Sequence, residues 1–466
     1  MLIASRASLI ALALAAAAHA LLPASLLQIG LAVVAFLLFA RDRRYGILGA
    51  AILILLALPF DRAANNDLLR FASIPLRPHD VVAGLAIVGA LPALRRVKLS
   101  TSTVLLGAFL GIGVVALAIG FMVGNEPRDI LRDARWWFLY GIGLIALGMP
   151  QQRTPILRGL IVGATAFALV AAFVTILPAF EDGLKYRSLI YDKPALRMQF
   201  GNSAFLIPAA CYVGWRWFHR PSWATSAWLL LIFAAVALSL TRVLIVLAAG
   251  SLVLGLVWWS HGGRAFLRRA VATVGLVVAG LAIGTMLNLL HPVVGVLAGI
   301  DQPVDSGRGI FDRLTFGGST GADAIASGRF ETYAEAISRI RTSPVLGLGM
   351  GSLIDVDYRF GGAEYATPGK LPNVDNAYLT VGLKAGLVGI VAFAALLLWP
   401  LGAWRRRRHD RVTRWLLPAW IGILGLTMTQ SFATTGYSPF VLALLIIVLG
   451  GFGYASSRRS RAADQR

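Results

Sequence analysis

The chain has 466 residues, 58% of them hydrophobic and only 14% charged, against about 25% charged residues in a soluble domain. With a mean hydropathy of +0.74, it is too apolar for a water-soluble globule and reads as a membrane protein. The formal net charge of +21 does not indicate nucleic acid. Its basic residues sit in short clusters between apolar spans (Arg41–Arg44, Arg95–Lys98, Arg405–Arg408, Arg458–Arg459), with no basic surface interleaved with exposed aromatics. A lone cysteine, Cys211, excludes an internal disulfide.

In chain order, apolar runs begin near 7–22, 24–40 and 45–60 and end near 414–430 and 437–455. They predict an all-α, polytopic membrane protein with about 12–14 transmembrane helices. Arg6, the apolar run after it and Ala18-His19-Ala20 fit either a cleaved leader or a first span. The span is favoured because a second apolar run follows almost at once. Assigning the basic clusters to the cytoplasm puts most Lys and Arg on that side and most acids on the outer side, the asymmetry the positive-inside rule predicts. The chain then divides into a helix bundle over 1–290, a large outer loop over 291–374, further spans over 375–457 and a basic cytoplasmic tail over 458–466.

Polar sequence on the outer side falls in four places. The stretch 61–80 reads as a structured loop. The second, NEPRDILRDARWW, places Arg128, Arg132 and Arg135 at helical spacing ahead of Trp136 and Trp137. It reads as an interfacial anchor helix with its tryptophans at the headgroups, or as a place where an arginine meets an anionic lipid-linked group. The third, 181–202, contains Arg197 and leads into RMQFGNS. The fourth is the long loop, and loops of that length are functional or disordered.

Within the loop, apolar residues Phe330, Tyr333, Ala334, Ile337 and Ile340 recur on one face at 100° per residue. Ser327 is the expected N-cap, Ser343-Pro344 the expected end, and Glu335 with Arg339 an i,i+4 pair. Arg329 would then lie in the first turn, where free backbone N–H groups and a guanidinium converge on one anion; a surface arginine paired with a nearby acid is the alternative. Arg242, in LSLTRVLIVL, is an ionisable group between two apolar spans with almost no loop, a functional position by default; snorkelling to the headgroups is its alternative. Beyond Pro344, Gly347, Gly349 and Gly351 permit tight turns or close backbone approach and are weak signs of phosphate binding. Asp375, before the next span, could cap its helix, as could Asn373, or serve as a general base on a hydroxyl. Tyr378, one turn on, fits a sugar contact or an interfacial anchor.

LSLTR, SGRFE, SPVLGLGMG and DNAYL followed by Gly386 and Gly389, in this order, resemble the bacterial O-antigen ligase and O-antigen polymerase superfamily. RMQFGNS is similar to a degenerate form of that family's Arg…Gly…Asn-Pro-Asn element. The resemblance implies a GT-C-type membrane glycosyltransferase that needs neither metal nor cofactor. Its donor would be a glycan on undecaprenyl diphosphate and its acceptor a glycan chain or lipid A-core, joined on the periplasmic face of the inner membrane. Arg242 and Arg329 would hold the diphosphate and stabilise the leaving group, and Asp375 would act as base. Arg197, Arg341, Asn376 and Tyr378 would complete the binding set. Two departures are visible: the ligases have a histidine where Asp375 stands, and often an acid where Lys384 stands. The missing histidine favours a repeat-unit polymerase over a ligase. A transporter or flippase of a lipid-linked or anionic solute is the rival class, kept open by Lys384. A structural assembly subunit is a third reading, in which Arg242 and Arg329 would be dispensable.

Overall fold

The computed structural model describes residues 25–57, 70–71, 74–75, 78–176, 186–190, 193–197, 201–239, 241–259, 264–297, 319–357, 368–404 and 410–451. The expected first span, the Arg405–Arg408 cluster and the basic tail lie outside them. The helices are α1 Ser25–Arg41, α2 Gly46–Ala57, α3 Pro78–Ala90, α4 Thr101–Val123, α5 Pro127–Phe138, α6 Ile142–Leu147, α7 Arg153–Ile176 and α8 Leu206–His219. They continue as α9 Trp223–Leu238, α10 Arg242–Trp259, α11 Arg264–Leu297, α12 Ser319–Thr342, α13 Ala377–Trp404, α14 Arg411–Thr427 and α15 Ser438–Ile446. Among the described residues, three antiparallel hairpins pair β1 Arg70–Phe71 with β2 Ile74–Pro75, β3 Tyr186–Ile190 with β4 Lys193–Arg197, and β5 Ile354–Asp357 with β6 Pro368–Leu371. Apart from these hairpins the protein is all-α and polytopic, as expected. Among the described residues, five stretches are long and apolar enough to cross a membrane: Thr101–Val123, Pro150–Ala172, Arg242–Trp259, Phe266–Leu287 and Ala377–Gly402.

Local chemistry sets the helix ends. Ser100 caps α4 by accepting from Thr103 N at 3.3 Å, and Gly124, at φ 81°, terminates it in the left-handed region. Ser222 and Thr225 form a capping box on α9. The lipid-facing sides are apolar, with Val114, Val115, Phe121 and Met122 exposed along α4. At the core, α2 is buried throughout from Leu48 to Ala57 and packs on α7. A side chain at Gly159 would stand 2.1 Å from the Gly49 carbonyl oxygen, so small residues let the two backbones touch.

The ends of the bundle differ in charge. At one, Arg158 donates to the Arg44 carbonyl at 3.4 Å, Arg153 pairs with Asp410, and Trp259 donates to the Arg414 carbonyl at 2.9 Å. The other gathers His79, Asp80, α5, the start of α10, the start of α13 and the segment 428–437.

Two local expectations are corrected. Trp136 and Trp137 are buried in the bundle instead of lying at the headgroups. Trp137 stacks on Phe109 with centroids 4.5 Å apart and donates to the Phe109 carbonyl at 2.9 Å. That buried partner lets an indole N–H leave the interface. Helix α12 begins at Ser319, eight residues before the expected cap. The upstream TGADAIAS run contains no proline, and Gly321 and Gly328 inside a helix cost only about 1 kcal/mol each.

Candidate functional site

The longer α12 changes the position of Arg329, which lies well inside the helix instead of in its first turn. Backbone N–H groups around it are taken by i→i−4 bonds, so the free amides of a first helical turn are not available beside Arg329. The packed face also differs from the apolar stripe. Thr332 and Ala336 are buried and Tyr333 is partly buried, whereas Ile337 is 42% exposed. Ala336 clusters with Ile354, Val374 and Leu383, so α12 rests on α13 and β5. Tyr333 Oη donates to the Asp375 carbonyl at 2.8 Å, tying the helix to the approach to α13. The expected pair is present: Arg339 Nε donates to Glu335 Oε1 at 2.8 Å, and Arg339 also reaches Asp355. The Glu335 hydrogen bond, ahead of the Asp355 charge, raises the guanidinium pKa still further above neutrality.

After Thr342 the chain turns inward. Gly347, Gly349 and Gly351 have φ of 71°, 79° and 84°, a region that only glycine enters without strain. Helix α13 is interrupted at Gly386, with φ 62° and ψ −160°, and the glycine loop fills the gap. Leu348 N and Gly349 N donate to the carbonyls of Leu383 and Lys384 at 2.9 and 3.0 Å. Leu387 N and Val388 N donate to the carbonyls of Pro344 and Val345 at 2.8 and 3.3 Å. On the other side Met350 N donates to the Ala116 carbonyl at 2.8 Å, and Asn125 Nδ2 to the Leu348 and Met350 carbonyls at 3.2 and 2.9 Å. Lys384 is seven residues into α13, so the loop reaches about 10 Å below the helix start at 1.5 Å per residue. Irregular backbone survives at that depth only when protein satisfies it. The glycines therefore serve close backbone packing, and their amides are not offered to a phosphate.

Beneath the loop lies a buried ion pair. Lys384 Nζ is 2.9 Å from Asp133 Oδ2, and both side chains are 0% exposed. The Lys384 ammonium also donates to the Ser352 carbonyl, and Gly351 N donates to Asp133 Oδ2 at 2.8 Å. Lys384 is thus matched by a carboxylate on α5. Paired intramembrane charge and a broken helix are both marks of a transport site. Here both are consumed internally, the charge by its partner and the break by the loop.

On α5, Arg128 is exposed while Arg132 pairs with Asp129 at 2.5 Å. Arg135 Nε lies 2.9 Å from Asp80 Oδ1, and its Nη2 donates to His79 Nε2 at 2.5 Å. The His79 ring packs 5.1 Å from that of Tyr437. Neither His79, in the polar PLRPHD stretch, nor the 428–437 segment, MTQSFATTGY between two apolar runs, stood out in the sequence, because neither carries a spacing that points to a distant partner.

Asn376, rather than Asn373 or Asp375, caps α13. Its Oδ1 accepts from Tyr378 N at 2.9 Å and Leu379 N at 3.1 Å, and its Nδ2 donates to the Met428 carbonyl at 2.9 Å. Asp375 itself is exposed beside it. Tyr378 is partly buried, its ring 5.4 Å edge-on from Phe393. Arg341 is exposed near the end of α12.

The segment 428–437 relates the remaining candidates. α10 packs antiparallel on α14, with Leu247 against Gly425 and Trp259 against Arg414. That puts Arg242, partly buried at the first residue of α10, at the same end of α14 as Met428. Phe205, which follows the stretch after Arg197, meets Phe432 with centroids 6.4 Å apart. Arg197 itself ends β4, paired in register with Tyr186.

Residues 227–394 match the family model described as O-antigen ligase. Over this stretch the chain is similar to the O-antigen ligase family. The O-antigen ligase match contains Arg242, Arg329, Arg341, the glycine loop, Lys384, Asp375, Asn376 and Tyr378. Arg197, His79, Asp133, Arg135 and the 428–437 segment lie outside it. No curated protein matches the chain. Among the described residues, no group of three His, Cys, Asp or Glu side chains is arranged to hold a metal ion.

Proposed function

We propose that the protein is a glycosyltransferase of the bacterial inner membrane that joins lipid-linked glycan to an acceptor sugar at the periplasmic face. The observation that carries this reading is the O-antigen ligase match over residues 227–394, which spans the arginines, the glycine loop and Asp375 in one stretch. The donor is a glycan on undecaprenyl diphosphate. An acceptor hydroxyl attacks the anomeric carbon while the bond from that carbon to the diphosphate oxygen breaks. The electron pair leaves with the diphosphate, and the acceptor proton passes to the Asp375 carboxylate, exposed at the start of α13. Arg242 and Arg329 hold the diphosphate and stabilise its developing charge, an effect worth about 10²–10³ in rate per donor group. Arg197, Arg341 and Tyr378 contribute to binding, while Asn376 acts by holding the start of α13. Diphosphate is already a good leaving group, so the reaction proceeds without metal.

Asp375 in the position of the ligases' histidine favours polymerisation of repeat units of an O-antigen or exopolysaccharide. Transfer to lipid A-core is the second reading, favoured by the family's description as O-antigen ligase. The test is purified protein in detergent with undecaprenyl-diphosphate-linked repeat unit and a chelator. Longer glycans and free undecaprenyl diphosphate, lost in Arg329→Ala and Arg242→Ala, support the polymerase. Release only on adding lipid A-core makes it a ligase. Retained turnover in both variants removes the arginines from the site, and no release under either condition refutes the reading.

A further inference from the structure

The Asp133–Lys384 pair lies outside the chemistry proposed above, yet three separately built parts of the protein meet at it. Asp133 comes from α5, whose neighbouring Arg132 and Arg135 engage Asp129, Asp80 and His79. Lys384 is the second residue before the Gly386 break in α13, and Gly351 and Ser352 come from the glycine loop. A single carboxylate oxygen, Asp133 Oδ2, receives both the loop amide and the ammonium, and the ammonium in turn reaches back to the loop carbonyl at Ser352. The contacts close a ring through α5, the loop and α13.

Both candidate arms of the site leave from this ring. One residue before the inserted stretch, Thr342 ends α12, which carries Arg329 and Arg341. Seven residues before Lys384, α13 begins beside Asp375 and its cap Asn376. Tyr333 closes the outer side by donating to the Asp375 carbonyl. Helix α12 and the start of α13 are thus fixed to each other twice, by the Tyr333 hydrogen bond above and by the buried ring below.

We infer that Asp133 and Lys384 are positioning residues: their pair seats the glycine loop in the gap of α13 and so sets the distance between the arginine-bearing helix and Asp375. This rests on the transferase reading, in which those two arms carry the diphosphate contact and the base. A pair that only stabilised the fold could be replaced by a neutral pair without effect on turnover. A positioning pair cannot, because a misplacement of about 1 Å at the reacting groups costs about 10²-fold in rate.

The experiment compares wild type, Lys384→Met and the double variant Asp133→Asn/Lys384→Met in detergent. The single variant leaves a buried carboxylate without its cation and loses folded yield. The double variant keeps an acceptor for Gly351 N and no charge, and recovers a monodisperse fold. Two readouts are then taken on it: amide hydrogen exchange over 343–352 and 384–390, and kcat against KM with undecaprenyl-diphosphate-linked repeat unit. The expected result is exchange at least tenfold faster in both peptides, with kcat lowered about tenfold or more and KM for the donor within about twofold of wild type. Unchanged exchange overturns the lock, and faster exchange with wild-type kcat overturns the positioning role. A wild-type protein without turnover refutes the transferase reading, and the positioning role with it, while exchange still judges the lock. If the double variant does not fold, Tyr333→Phe reads the same coupling from the outer side: lowered kcat at constant KM supports it, and unchanged kcat overturns it.

Discussion

Substituting Gly349 by alanine tests the seating of the glycine loop most directly. At φ 79°, an L side chain pays about 1–2 kcal/mol for the left-handed conformation. The new Cβ would stand 2.3 Å from Gly120 N and 2.6 Å from Gly120 Cα, both backbone atoms of α4 that no rotamer change can move. Ordinary carbon contacts begin near 3.5 Å, so loop and helix must separate by about 1 Å. That separation strains the 2.8 Å bond from Met350 N to the Ala116 carbonyl and the two bonds from Asn125 Nδ2. Leaving even one such buried group unsatisfied costs about 1–3 kcal/mol. Together these come to about 4 kcal/mol, a large share of the 5–15 kcal/mol that holds a typical domain. Thermal midpoints followed by size-exclusion chromatography in detergent should fall by about 5 °C or more. Gly111→Ala is the control: it lies on the same helix with nothing within 4 Å of its added Cβ, and should shift stability by less than about 1 kcal/mol. Equal midpoints for the two variants would refute the close approach of loop and helix.

Other outcomes follow from the same geometry. Asn376→Ala removes the cap of α13 and its bond to the Met428 carbonyl; thermal stability should drop by about 1–2 kcal/mol, whereas Asn376→Asp should retain most of it. Trp137→Ala, which empties a site stacked on Phe109, should cost about 3–5 kcal/mol and show in the midpoint of detergent-resistant folding. Asp375→Asn, exposed beside the cap, should lower kcat by about 10²–10⁴ in the glycan-transfer assay while leaving the midpoint unchanged. Arg242→Lys keeps a cation without the two-pronged guanidinium and should raise KM for the lipid-linked donor above wild type. Wild-type turnover with a chelator present should match that without it.

Much of the architecture was legible from composition alone. Long apolar runs cannot stay in water, so α4, α10 and α13 were visible as spans. The Glu335–Arg339 pair and the end of α12 before Pro344 followed from local spacing. The positions of the candidate residues were legible: Arg242 where one long helix begins, Asp375 just before another, and a glycine triplet between them.

Local sequence misled in particular places because the deciding partners are far away in the chain. Ser327 and Gly328 resemble a helix start, yet upstream residues that include no proline carry α12 back to Ser319. Trp136 and Trp137 have the composition of an interfacial belt, but the Phe109 carbonyl and ring draw Trp137 inside. Lys384 looked like an unpaired charge in a span, and only the fold brings Asp133 to it, across 251 positions of chain. Gly386 was named with the resemblance motif but not as a helix break, which shows only where Pro344–Gly349 supply the donors and acceptors that a broken helix loses. Hydropathy is a property of each residue and its near neighbours, so the sequence by itself determined which segments are long and apolar enough to enter a membrane. Satisfaction of buried charge and backbone is a property of pairs distant in sequence, and that only the tertiary structure decided.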